Sequence, residues 1–257
     1  MSLFEDTAED YLDLIGDWKD PNPSPVLEEH EGFVVVRDDL LGGGSKIRFA
    51  DYLISSNEQI EEWVYGSSPA TGYAQISLGH LCKKHNKKAV VFMANRAVEK
   101  RHEYQIQAIN TGVDMRWVPN GMLSVTEKRA RDYVSDSPAS RRLLPIGFDH
   151  PTVLASIIRV AQSMPITPSE VWTVGSSGTL TRGLQLAWPH AEFNCVTVGH
   201  AGDYGRAKKY KCDIKFDKSV KAENLPPFPS APTYDAKAWE FMREHASSGA
   251  LFWNVGA

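Results

Sequence analysis

Two rhythms of apolar residues alternate along this chain. Short blocks rich in β-branched and aromatic residues read as strands, and stretches with apolar residues every three or four positions read as helices. Strands are expected at residues 32–38, 60–65, 89–93, 114–118, 141–146, 170–174, 193–199 and 250–255. Helices are expected at 7–18, 46–56, 72–85, 103–111, 125–134, 149–163, 180–188 and 234–245, the sixth with Asp149 as its N-cap and Pro151 in its first turn. Residues 1–30 are acidic and proline-punctuated, reading as the short first helix and then an extended arm, and 224–232 as a proline-rich crossing. The basic stretch 201–221 is weakly patterned and reads as exposed loop with a short strand near 213–216. Strand and helix alternate, which argues an α/β fold with a largely parallel sheet.

Composition narrows the class. The 257 residues are 42% hydrophobic, enough for a sizeable core in one domain or in two lobes. A formal net charge of −4 gives no general pull toward nucleic acid. Three widely spaced cysteines suit neither a disulfide framework nor a zinc site, and favour a reducing compartment. No apolar run approaches the roughly 20 residues of a membrane span, and the acidic start lacks the basic-then-apolar order of a secretory signal. A soluble, cytoplasmic protein is expected. The histidines have no metal-ligand spacing, so no metal is expected, and Cys195, inside a strand, reads as a buried, inert thiol.

Chemistry concentrates in three loops. The strand at 170–174 runs straight into Gly175-Ser176-Ser177-Gly178-Thr179 and then a helix. Successive N–H groups and hydroxyls at a helix start make an anion cradle suited to phosphate, against the plain alternative of a small-residue turn. Earlier, Gly42-Gly43-Gly44-Ser45-Lys46 places a lysine after a glycine run. It is not a P-loop: no glycine immediately precedes Lys46, and Ile47 stands where Ser or Thr should bind magnesium. A lysine partly desolvated there would have a depressed pKa and act as an amine nucleophile. Between the two, Ser67-Ser68-Pro69-Ala70-Thr71-Gly72 forms a small-residue loop before a helix. A lysine, a hydroxyl-lined helix start and a phosphate cradle are the parts a pyridoxal phosphate (PLP) enzyme needs.

In this order, over residues 33–257, these pieces resemble the fold-type II PLP enzymes, the tryptophan synthase β superfamily. The nearest likeness is to the aminocyclopropane-carboxylate deaminase and D-cysteine desulfhydrase branch, in a compact form. Gly42–Arg48 resembles that branch's Gly-Gly-Asn-Lys-Thr-Arg segment, Gly175–Thr179 its phosphate loop, Thr233-Tyr234-Asp235-Ala236-Lys237 its Tyr-Glu-Gly-Lys segment, and Phe252–Ala257 its terminal strand. The resemblance implies two lobes, each with a mainly parallel sheet flanked by helices. A smaller lobe of about residues 51–150 would be inserted into a larger one of about 1–50 and 151–257.

It also implies roles. Lys46 would carry the cofactor as a Schiff base and move protons at the substrate Cα. Gly175, Ser176, Ser177, Gly178 and Thr179 would hold the phosphate. Asp235 would face the pyridine nitrogen, and Tyr234 would act near the substrate as an acid/base or orienting group; the plain reading of the Tyr234-Asp235 pair is a helix start with a capping aspartate. Ser67, Ser68, Thr71 and Gly72 would bind the substrate carboxylate. The chain departs from the pattern at Pro69-Ala70, where relatives have Gly-Asn, and at Ser45, where they have Asn. The implied activity is that of a PLP-dependent lyase or deaminase, acting at Cα or Cβ of an amino-acid-like substrate in a homodimer. A decarboxylase or tailoring enzyme on a bulkier, nucleotide-linked amino acid is the enzymatic alternative; Arg129, Arg131, Arg141, Arg142 and Lys208–Lys211 are its support. A non-catalytic scaffold is the rival from another class.

Overall fold

Six of the eight apolar blocks become strands buried over most of their length, as central parallel strands covered on both faces are, while those at 114–118 and 141–143 are only partly buried. The computed structural model describes residues 7–119, 121–199 and 202–257. In chain order the elements begin with α1 (Ala8–Leu12), β1 (Leu27–His30), β2 (Phe33–Arg37), α2 (Ser45–Phe49) and α3 (Asp51–Ser55). Next come β3 (Glu62–Tyr65), α4 (Ala74–Lys84), β4 (Lys88–Ala94), α5 (Glu103–Asn110), β5 (Asp114–Val118), α6 (Leu123–Ser135) and β6 (Arg141–Leu143). The last are α7 (Pro151–Ser163), β7 (Glu170–Gly175), α8 (Thr179–Ala187), β8 (Glu192–Thr197), β9 (Lys208–Lys211), α9 (Ala238–His245) and β10 (Leu251–Asn254).

The chain divides into two compact units, Met1–Phe49 with His150–Ala257, and Ala50–Asp149. The first holds a six-stranded sheet in the order β1-β2-β10-β7-β8-β9, parallel except for β1. Trp172, Val174, Val196, Trp239, Met242 and Phe252 pack in its core. The second holds an all-parallel sheet in the order β5-β4-β3-β6, with Val64, Val90, Phe92, Val118 and Ala130 packed beneath α6.

Four expectations need correction. The strand expected near 213–216 lies instead at β9. Its lysines 208, 209 and 211 are exposed, while Tyr210 turns inward with its ring 4.9 Å from that of Trp172. Register with β8 and one aromatic anchor therefore outweighed the apolar signal of Ile214 and Phe216, and lysines on an edge strand discourage further pairing. The N-cap of α7 is His150, not Asp149: the residue before a proline is held extended (φ −143°, ψ 143°), and the His150 ring accepts the Thr152 N–H at 3.2 Å. The extended arm after the first helix contains β1, which pairs antiparallel with β2 through a turn at Glu31-Gly32. Finally, β6 ends at Leu143, with Pro145 just beyond it and a 3-10 turn at Ile146–Phe148.

Candidate active site

Strands β2, β10, β7 and β8 run parallel, so their carboxyl ends share one edge of the sheet, the edge where α/β proteins build ligand sites. From β2 the chain passes through a 3-10 turn at Asp38–Leu40 and the glycine run into α2, with Lys46 as its second residue. From β7 it passes through Gly175–Gly178 into α8. From β10 it runs out through Val255-Gly256, and the Ser45 N–H bonds the Val255 carbonyl at 2.9 Å. The lysine-bearing turn is thus sewn to the neighbouring strand's end.

A buried polar network fixes that turn from behind. The Trp253 indole N–H lies 3.0 Å from both Asp38 Oδ2 and Ser45 Oγ. Arg48 donates to Asp38 Oδ1 at 3.0 Å, to the Pro23 carbonyl at 2.8 Å, and to Asp20. Asp38, Ser45 and Arg48 are each 1% exposed, so every charge there needs its partner. Ser45 belongs to this supporting network.

Lys46 and Asp235 sense one another. Burial holds the Lys46 amine below its ordinary lysine value, and the charge of Asp235 opposes that shift. Burial pushes the Asp235 carboxyl up to about 8, resisted by Lys46 and by the Gly256 and Val255 N–H groups and reinforced by Asp39. Asp235 Oδ2 accepts the Gly256 N–H at 3.2 Å, while the buried Oδ1 has no hydrogen-bond partner. The neighbouring Tyr234 hydroxyl donates to the Val174 carbonyl at 3.2 Å. Burial and the Asp235 charge hold that phenol well above its ordinary value, so it stays protonated. Of the two roles expected for Tyr234, an orienting donor suits this geometry and a base does not.

The Gly175–Thr179 loop joins the end of β7 to the nine-residue helix α8. Ser177 Oγ and Thr179 Oγ1 lie 3.0 Å apart, and the Thr179 N–H reaches Ser177 Oγ at 3.4 Å. Gly178 has φ +85°, and a Cβ there would sit 1.8 Å from the Asp203 carbonyl oxygen; no other residue fits both constraints. One residue that sequence reasoning missed is Tyr204. Its hydroxyl lies 3.3 and 3.1 Å from the Gly175 and Ser176 carbonyls and accepts the Gly202 N–H at 3.2 Å, clamping the loop. Nothing in the weakly patterned stretch around it signals this.

In the second unit, Ser67, Ser68, Thr71 and Gly72 lie between β3 and α4. Ser67 Oγ donates to Glu127 at 2.8 Å and Ser68 Oγ to the Pro69 carbonyl at 3.2 Å. Thr71 Oγ1 is buried without a partner. Among the described residues no group of three His, Cys, Asp or Glu side chains could hold a metal, and no helix is long and apolar enough to cross a membrane.

The two α/β units have the fold of the fold-type II PLP-dependent enzymes, which solved structures of that class share. An aminocyclopropane-carboxylate (ACC) deaminase homologue superposes with TM-score 0.79 at 15% identity, covering 98% of this chain and 95% of its own. A T.th. threonine deaminase gives 0.64 at 15%, covering 87% and 86%. A PLP-dependent aspartate racemase gives 0.64 at 12%, covering 100% and 97%. No family model and no curated protein matches the sequence.

Proposed function

We propose that this chain is a PLP-dependent enzyme acting at Cα or Cβ of an amino-acid-like substrate, with lyase or deaminase chemistry as its reaction. The observation that carries the reading is Asp235 Oδ1, a carboxylate oxygen buried without a partner beside a lysine of depressed basicity. Buried polar atoms are seldom left unmatched, and a pyridine nitrogen is a partner of the right kind. The other donors fit as well. Lys46 supplies the amine for covalent attachment, and the N–H groups and hydroxyls of residues 175–179 suit a phosphate.

When bound, the cofactor supplies an electron sink for charge developing at the substrate Cα. The protein's residues do the rest. Asp235 holds a proton at the ring nitrogen. Lys46, its basicity lowered by burial, accepts and returns the proton at Cα. Tyr234, anchored on the Val174 carbonyl, orients and stays protonated. For the second unit the resemblance implies a carboxylate-binding role for the 67–72 loop, and Thr71, whose Oγ1 has no partner, is the hydroxyl there free to take it. The solved structures that share the fold include deaminases, an ammonia lyase and racemases, so the fold is compatible with several outcomes at Cα. A cytoplasmic homodimer completes the proposal.

Purified protein is expected to be yellow, and borohydride reduction to fix the cofactor's mass on the peptide containing Lys46. Lys46→Ala is expected to lose the visible band and about 10²–10⁴-fold in turnover. Screening L- and D-amino acids for ammonia, keto acid or carbon dioxide then distinguishes deamination from decarboxylation. A colourless protein that takes up no PLP overturns the reading and leaves the non-catalytic scaffold.

A further inference from the structure

Asn254 closes strand β10 and is a fully buried polar residue that the proposed chemistry does not use. Strand β10 pairs with β7 at Leu251 and Phe252, and with β2 as far as Asn254, which lies opposite Arg37. There the amide makes three hydrogen bonds. Nδ2 donates to Asp39 Oδ1 at 2.7 Å and to the Pro229 carbonyl at 2.8 Å, and Oδ1 accepts the Ser230 hydroxyl at 2.8 Å. The neighbours fix which end is nitrogen: two acceptors face one side and a hydroxyl faces the other. Asp39 is itself held by Arg37, whose Nε and Nη2 reach its two oxygens at 2.8 Å each.

These bonds do for the 224–232 crossing what a sheet ladder cannot. Pro226, Pro227, Pro229 and Pro232 have no N–H to offer, so the crossing has few groups with which to join a strand. One N–H that it does have, that of Ala231, takes the Gly256 carbonyl at 2.8 Å. The Ala231 carbonyl then accepts the Tyr234 N–H at 3.0 Å and the Ala236 N–H at 3.1 Å, which folds the turn that carries Asp235. From that turn Asp235 Oδ2 comes back to the Gly256 N–H at 3.2 Å. Residues 229–235 and 254–256 thus form a closed clasp, entered at Asn254 and shut at Asp235. Without the Asn254 amide, the stretch ahead of Tyr234 is hydrogen-bonded to the end of β10 by Ala231 alone.

We propose that Asn254 is a positioning residue for Asp235: it locks the crossing onto the end of β10, and so fixes where the Asp235 carboxylate stands and how firmly it can hold a proton on the cofactor's ring nitrogen. The inference rests on the PLP reading for its ligand and on the clasp for its geometry. All three bonds of the Asn254 amide go to the protein, so it acts through residues 229–235. Position matters at Asp235 because Oδ1 has no protein partner to guide it, and Oδ2 is tied through the clasp. A hydrogen bond weakens steeply with misalignment, so a loosened clasp weakens the carboxylate's hold on a proton.

The test compares wild-type protein with Asn254→Leu, which keeps the shape of the side chain and removes the amide. Each is loaded with PLP isotopically labelled at the ring nitrogen, and the resonance of that nitrogen is followed with pH. In Asn254→Leu the ring nitrogen is expected to lose its proton about one pH unit or more below wild type, a tenfold loss of proton affinity. Cofactor-free protein with labelled aspartate carboxyl carbons gives a second readout. There Asp235 titrates at about 8 in wild type, and is expected about one unit or more lower in the variant, because water reaches a carboxyl that the clasp no longer seals. The groups that face Asp235 are Lys46 on α2, Asp39 beyond β2 and Tyr234 on its own turn, and all three remain. Asp39 also keeps both bonds to Arg37, so the shift reports position and not lost charge. A ring titration that does not move overturns the proposal, and a fall in melting temperature alone marks a purely structural clasp. Should Asn254→Leu fail to fold, Ser230→Ala, which removes one bond of the clasp and leaves the amide, carries the same comparison with a smaller shift in the same direction. If wild-type protein takes up no PLP, the PLP reading falls by itself, and the Asp235 titration decides whether Asn254 positions that carboxylate.

Discussion

The two units position their polar groups by different means. In the first, the groups that matter stand at strand ends and are fixed by backbone: Ser45 on Val255, Asp235 on Gly256, Tyr234 on Val174. In the second, the 67–72 loop is braced by one side chain, Gln75, and by its own turn. A site held by sheet edges is pre-organised wherever its strands fold. A loop held by one buried amide can be changed by one substitution. The reaction centre should therefore resist conservative change outside its chemical groups and the Asn254 clasp, whereas substrate preference should turn on a few loop residues.

The largest effect that tests this contrast is expected at Asp235. Asp235→Asn keeps the shape of the side chain and removes its charge, and should lower turnover about 10²–10³-fold with little change in how much amino acid binds. The same variant has a pH signature in the cofactor-free protein. The folded carboxyl titrates near 8 and the unfolded one near its ordinary 3.8. Between those values the folded state binds the extra proton, so this group's contribution is complete below about pH 4 and is lost as pH rises through about 8. Lys46 works in the opposite sense: its folded pKa is depressed, so its contribution grows as pH rises toward 10.5. Asp39 and Tyr234, the other titratable groups that Asp235 senses or acts on, remain in both proteins. Melting temperature should therefore fall with pH across this window in wild type relative to Asp235→Asn. Parallel curves would remove Asp235 from the centre.

A smaller effect belongs to Gly178. Gly178→Ala forces a Cβ against the Asp203 carbonyl at a left-handed backbone position. It should cost about 1–3 kcal/mol in urea unfolding and weaken PLP binding as well. Loss of stability with unchanged PLP affinity would mean that the 175–179 loop is a turn and not a cradle.

What the sequence revealed follows the same division. Periodicity located the buried strands and their helices, because parallel strands covered on both faces leave a dense apolar signal. Lys46 and the 175–179 loop stand out as candidates because a lysine after a glycine run and a small-residue helix start are local patterns, whereas Tyr234 and Asp235 are singled out only through the family resemblance. Tyr204, Asp39 and Gln75 were not legible. They act through contacts to backbone far along the chain or to a distant charge, and no local pattern encodes those. Strand β9 was misplaced for a related reason: one inward tyrosine sets its register, and three exposed lysines hide it.

The smallest predicted effect separates two neighbouring hydroxyls in that loop. By residue type, Ser67 and Thr71 are equally good carboxylate ligands. Ser67 Oγ, however, already donates to Glu127 across the start of α6, whereas Thr71 Oγ1 has no partner. Ser67→Ala thus breaks an internal hydrogen bond, worth about 1 kcal/mol of stability, and should leave KM within about twofold. Thr71→Ala removes a donor that only a ligand satisfies, so it should raise KM several-fold at nearly constant stability, because a buried oxygen without a partner loses nothing on deletion. Steady-state kinetics and urea melts on the two variants decide it. A rise in KM for Ser67→Ala as large as that for Thr71→Ala would mean that Ser67 leaves Glu127 when substrate arrives. The second unit's loop would then be rebuilt on binding, and its contrast with the sheet-anchored centre would lie in motion more than in bracing.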